Sequence, residues 1–205
     1  MRLLKLSLQS FLISSVILFA SASASGQSSA LTLPRNIATL TGESQIVVQG
    51  WVASVSLEPH EQLKNLMTVV ITLQVEETLK GAPVKTLTFR QAVLDRKDLQ
   101  QEMGYRTGQH LLLALIKPSH YGLSSPAGME QGRFRIEFLP SGELSATNGF
   151  RNAGLFRGLD SQLKSRGIRV VPEVQEMILK PETGPVSLKN LKSLIRTLAS
   201  TDSTK

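Results

Sequence analysis

The stretch MTVVITLQVE, residues 67–76, decides the fold class. Met67, Val69, Ile71, Leu73 and Val75 are apolar, and Thr68, Thr72, Gln74 and Glu76 alternate with them. That period of two belongs to a strand with one face in a core and the other in water. Lys80-Gly81-Ala82-Pro83 makes a turn, and residues 86–90 alternate again with Leu87 and Phe89 inward. Upstream, residues 46–55 are mostly β-formers with Gly50 among them, and a glycine inside a strand marks a bulge or bend. Downstream, residues 111–116 are continuously apolar, as expected of a central strand covered on both faces. Residues 133–138 place Phe134, Ile136 and Phe138 on one side, and Ser141-Gly142 turns the chain into a short strand over 143–147. The prediction is a mainly β fold, a closed or nearly closed barrel of five to six strands over residues 44–147, because closure removes exposed edges.

The flanks are read by different signals. Residues 25–43 form a polar lead-in followed by a short helix, with Pro34 in its first turn, Ile37, Ala38 and Leu40 on its apolar side and Gly42 stopping it. Residues 56–65, with Pro59 and His60, read as a loop, and the charged stretch 92–108 as a short helix closed by Gly104. Residues 148–186, interrupted by glycine and proline, read as a loop-rich extension packed on the barrel. Ser187 then caps a helix over 187–200, in which Leu188, Leu191, Leu194, Ile195 and Leu198 form one stripe. Lys189, Lys192 and Arg196 lie outside that stripe, and residues 201–205 are expected to fray.

Residues 1–24 have the three parts of a signal peptide: Arg2 and Lys5, an apolar run over 6–20, and the small residues Ala22-Ser23-Ala24. Cleavage after Ala24 is expected, and no later apolar run has membrane length. The chain is therefore expected outside the cytoplasm, in a periplasm or beyond. The absence of cysteine excludes a disulfide scaffold, a thiolate metal site and a catalytic thiol. The formal charge of +7 falls by two when Arg2 and Lys5 are removed, leaving a moderately basic surface with scattered charges.

Catalytic motifs are not found. His60-Glu61 has Lys64 where a zinc-binding helix needs its second histidine, and residues 122–126 lack the second glycine of a nucleophile elbow. Glu76 and Glu77 point to opposite faces of a regular strand, which separates them, and Asp95 with Asp98 fits a helix start. No catalytic, metal or cofactor site is expected. Nucleic acid is not expected as a partner, since aromatics are only 5% of the chain and mostly inward. Trp51, on one side of its strand with Val47, Gln49, Ala53 and Val55, reads either as a core residue or as a ligand platform.

Residues 44–50, 72–81, 108–116 and 184–188, the last followed by the terminal helix, resemble a group of exported bacterial proteins of uncharacterised activity. The fold this resemblance implies is the oligonucleotide/oligosaccharide-binding (OB) barrel in its netrin-like form, shared with the tissue inhibitors of metalloproteinases (TIMP-like). Those inhibitors act through an amino-terminal cysteine, which this chain does not have, so their mode of inhibition does not carry over. Residues 91–95 also depart from the glycine-rich turn of the group. The expectation is a non-enzymatic exported module binding a protein or other envelope macromolecule. The alternatives are an accessory or regulator of a secreted protease, and a carboxylate-based enzyme.

Overall fold

The computed structural model describes residues 34–180 and 183–202, so the signal-peptide reading of residues 1–24 and the frayed end at 203–205 lie outside the described residues. Helix α1, Ile37–Glu43, is capped by Asn36, whose side chain accepts from the Thr39 amide at 2.9 Å. The cap therefore lies two residues beyond Pro34, and Gly42 is inside the helix instead of ending it. Strand β1 spans Ser44–Pro59, four residues past the expected end, and pairs antiparallel with β2, Met67–Lys80. Strands β3, Thr86–Ala92, β4, His110–Ile116, β5, Arg133–Phe138, β6, Leu144–Asn148, and β7, Val186–Ser187, complete one seven-stranded antiparallel sheet in the order β3-β2-β1-β4-β5-β6-β7.

The sheet is open, with β3 and β7 as edges, so the expected closed barrel is not formed. The alternation that suggested closure has another source. Val48, Val52, Val69, Ile71, Leu73, Phe89, Leu111, Leu113 and Leu115 bury one face of β1–β4 with Tyr105, and among the described residues no α-helix contributes to that cluster. Side chains of the strands and of their connecting segments, Tyr105, Val93 and Met103 among them, enclose it, with a gap between β3 and β4, which do not pair. The loop after β4 covers the gap: Leu123 bridges to Arg90 of β3, Pro126 bridges to Leu115, and the Ser124 amide donates to the Arg90 carbonyl at 2.8 Å. A loop stands where a barrel would need a strand ladder.

The opposite face of the sheet is covered by helices. Val47, Leu79, Leu112, Ala114, Phe134, Ile136 and Ala146 pack there against α1, α3 (Leu159–Ser165), α4 (Pro172–Leu179) and α5 (Leu188–Asp202). Residues 148–186, expected to be loop-rich, thus hold two helices and the last strand. The apolar positions of α3 and α4 are too few and too interrupted to show a helical period in the sequence. Asn152 ties this region down, its side-chain amide donating to the Ala146 carbonyl at 2.9 Å and the Gly184 carbonyl at 2.7 Å. Between β3 and β4, Asp95 caps α2, Arg96–Gln100, by accepting from the Asp98 amide at 2.7 Å, the helix-start role expected of it. No helix among the described residues is long and apolar enough to cross a membrane.

All five stripe residues of α5 are buried against the sheet and α1. Ser187 Oγ lies 3.5 Å from the Asn190 amide, at the limit of a capping bond. Lys192 departs from the expected outward position: its side chain is only 20% exposed and reaches the sheet.

Candidate functional site

Three irregularities in the β1–β2 ladder build the site. Gln49 pairs with Glu77 and Gly50 with Val75, so Glu76 is an extra residue in β2; Leu79 and Ala53 are skipped in the same way. A bulged residue breaks the two-residue alternation. Glu76 and Glu77 consequently both turn to the helix-covered face, where the sequence alternation placed them apart. The bulge at Ala53 has the converse effect on β1, sending Val55 to the strand-lined cluster while Val47 belongs to the helix-lined one. Gly50 allows the close approach: a Cβ there would lie 2.3 Å from the Gln74 carbonyl oxygen.

On this face Trp51 is neither a core residue nor loose. The residue is 43% exposed, and its indole stacks on His110 of β4, with ring centroids 4.2 Å apart and planes 11° from parallel. Indole Nε1 donates to Glu76 Oε1 at 2.8 Å. Glu76 Oε2 accepts from Gln49 Nε2 at 2.7 Å and lies 2.8 Å from His110 Nε2. The Gln49 amide is oriented because its Oε1 accepts from Lys192 Nζ at 2.7 Å. Lys192 also pairs with Glu77 Oε2 at 2.7 Å, and Arg196 pairs with the other oxygen of Glu77. The indole is therefore connected through Glu76 and Gln49 to the docked helix α5.

The two carboxylates have the same electrostatics. Burial pushes Glu76 up, but hydrogen bonds from Trp51 and His110, the His110 charge and the Gln49 amide together hold it below the usual glutamate value of 4.5. Burial likewise opposes the ionised form of Glu77, and the bonds and charges of Lys192 and Arg196 outweigh it. A depressed carboxylate stabilises the fold above its unfolded pKa, and that contribution disappears as pH falls through the lower folded value. The melting temperature is therefore expected to fall on acidification below about 4.5, with a change in Trp51 emission as the acceptor of the indole N–H loses its charge. Glu76→Gln should flatten both responses. An acid transition of wild-type steepness in Glu76→Gln would remove Glu76 from the account.

A histidine held by a carboxylate is also the orienting half of a nucleophilic triad. Among the described residues the His110 ring is bonded to Glu76 and Gln49 and stacks on Trp51, with no hydroxyl bonded to it. No three His, Asp or Glu side chains among the described residues cluster as metal ligands. The other histidine in a defined setting, His60, is structural: Nδ1 accepts from the Gln62 and Leu63 amides at 3.2 and 3.1 Å, and Nε2 lies 2.9 Å from the Tyr121 carbonyl. It closes the turn after β1 onto the loop that covers the gap beside β3. Arg133 and Tyr105 form a second buried pair, the guanidinium 4.4 Å over the ring, and burial first of all raises the phenol to about 12. That pair anchors β5 to the segment following α2, since Arg133 also donates to the Met103 carbonyl at 2.6 Å.

Beside the network is a groove of about 570 Å³ between the β5–β6 turn and α5, with Lys192 and Arg196 on its wall. The sequence pointed to Trp51 alone. Gln49 was legible as its neighbour on the strand and Glu76 with Glu77 as a carboxylate pair set apart, but the convergence of these with His110 and Lys192 carried no signal, because it depends on bulges and on the way α5 docks. No known protein family matches the chain, and no curated protein or solved structure is detectably similar to it.

Proposed function

We propose that this chain is an exported, non-enzymatic binding module that engages an envelope or extracellular macromolecule through Trp51. The observation that supports this reading is the half-exposed indole, held by a stack and a hydrogen bond in a network that reaches a groove through Gln49 and Lys192. A large aromatic side chain fixed in advance loses little conformational entropy on binding, which is why tryptophan is common where binding energy concentrates. An indole needed only for stability would be better placed with both faces covered. Export rests on the signal-peptide pattern of residues 1–24.

Trp51→Ala separates the two roles. Loss of the stack removes about 0.5–1.5 kcal/mol, and at this chain length each kcal/mol moves Tm by about 2–4 °C. A fall of only a few degrees is expected. Capture of the partner from envelope or culture fractions should weaken by about thirtyfold or more, as for a residue worth at least about 2 kcal/mol of binding. Undiminished capture by a folded Trp51→Ala protein would refute the reading.

A further inference from the structure

We propose that the groove between the β5–β6 turn and α5 docks an acidic, apolar peptide segment of a partner protein. This rests on the binding reading above and adds the chemistry of the occupant. The groove's volume of about 570 Å³ falls within the usual range of ligand clefts. Phe138, Leu144 and Leu188 supply its apolar lining, and Lys189, Lys192 and Arg196 its cations. Phe138 continues the row that buries Phe134 and Ile136, yet is itself 76% exposed. The fold leaves an aromatic ring uncovered at the end of an otherwise buried row.

The charge is unbalanced. Lys192 and Arg196 converge on one carboxylate, Glu77, so their combined charge is only half neutralised. Lys189 is exposed and has no ion pair among the described residues, and Glu143 is the one carboxylate in the lining. Cations above an apolar floor complement carboxylates interspersed with aliphatic or aromatic side chains. Their positions at 189, 192 and 196 extend along the helix for about 10 Å, roughly three residues of extended chain. Cations along a groove of that length suit an inserted peptide better than the flat surface of a membrane. Lys192 joins groove and indole, since it lines the one and bonds Gln49 in the network of the other.

A random peptide display library panned on the immobilised protein tests this. The expected result is enrichment of sequences in which Asp or Glu alternates with Leu, Ile or Phe. A synthetic peptide of the enriched sequence should bind about tenfold more weakly to Lys189→Glu and to Phe138→Ser, and more weakly as salt rises. Both side chains are exposed, so both variants should keep the wild-type Tm. Enrichment of neutral or basic sequences, or no enrichment, overturns the proposal; so does a peptide indifferent to both substitutions. Sedimentation with phosphatidylglycerol vesicles in the absence of peptide enrichment assigns the groove to a lipid surface and also overturns it. Peptide binding that depends on Trp51 but not on Lys189 sinks the acidic occupant while leaving the module intact. Failure of the module itself would show separately, as envelope capture unaffected by Trp51→Ala.

Discussion

Leu191→Ala lowers the stability of the fold by about 2–5 kcal/mol, the range for truncating a fully buried leucine, and Tm falls on the order of 10 °C. Leu191 is completely buried in the middle of the α5 stripe, among side chains of the sheet and α1. Removing its isobutyl group leaves a cavity that the surrounding β-strands cannot readily fill. Thermal and urea melts of the variant measure the loss. An unchanged Tm would mean that the stripe is a recognition surface and that α5 does not hold the domain together. Lys192→Ala is expected to destabilise less than Leu191→Ala but measurably, since it leaves Gln49 Oε1 and Glu77 without their ammonium partner.

Gly50→Ala is the second large effect, expected to cost about 1–3 kcal/mol through overpacking. The added Cβ would meet the Gln74 carbonyl at 2.3 Å, and that oxygen is backbone, so β1 and β2 must move apart. The displacement falls one residue from Trp51 and beside the bulge at Glu76. Loss of stability should therefore come with a shift of the indole N–H resonance, as the bond from Nε1 to Glu76 lengthens. A variant with wild-type Tm and an unmoved indole signal would show that the ladder has room at this point, against the close packing described.

The sequence made the strands legible because β2, β3 and β5 alternate and β4 is apolar from Leu111 to Ile116. Sheet closure was not legible: alternation reports that a face is buried, and says nothing of whether a helix, a loop or the strand's own sheet covers it. Residues 148–186 failed for a related reason. Leu159, Leu163, Val174 and Ile178 each bury on contact with other elements, and two helices of seven and eight residues give periodicity too little length to register. At the site, Trp51 stood out as an aromatic on a strand side with Gln49. Its carboxylate partner did not, because regular alternation places Glu76 and Glu77 on opposite faces. One inserted residue brings them together, and no local sequence signal announces that insertion apart from Gly50 on the neighbouring strand.

The proposed role of Trp51 as the contact surface of a binding module has a direct optical test. Trp51 is the single tryptophan of the chain, so all indole emission comes from the site. Iodide quenching is measured on the free protein and again on its complex with the captured partner. Efficient quenching is expected when free, from a residue 43% exposed, and strong protection when bound. A complex in which iodide quenches Trp51 as readily as before would place the interface elsewhere and contradict that role.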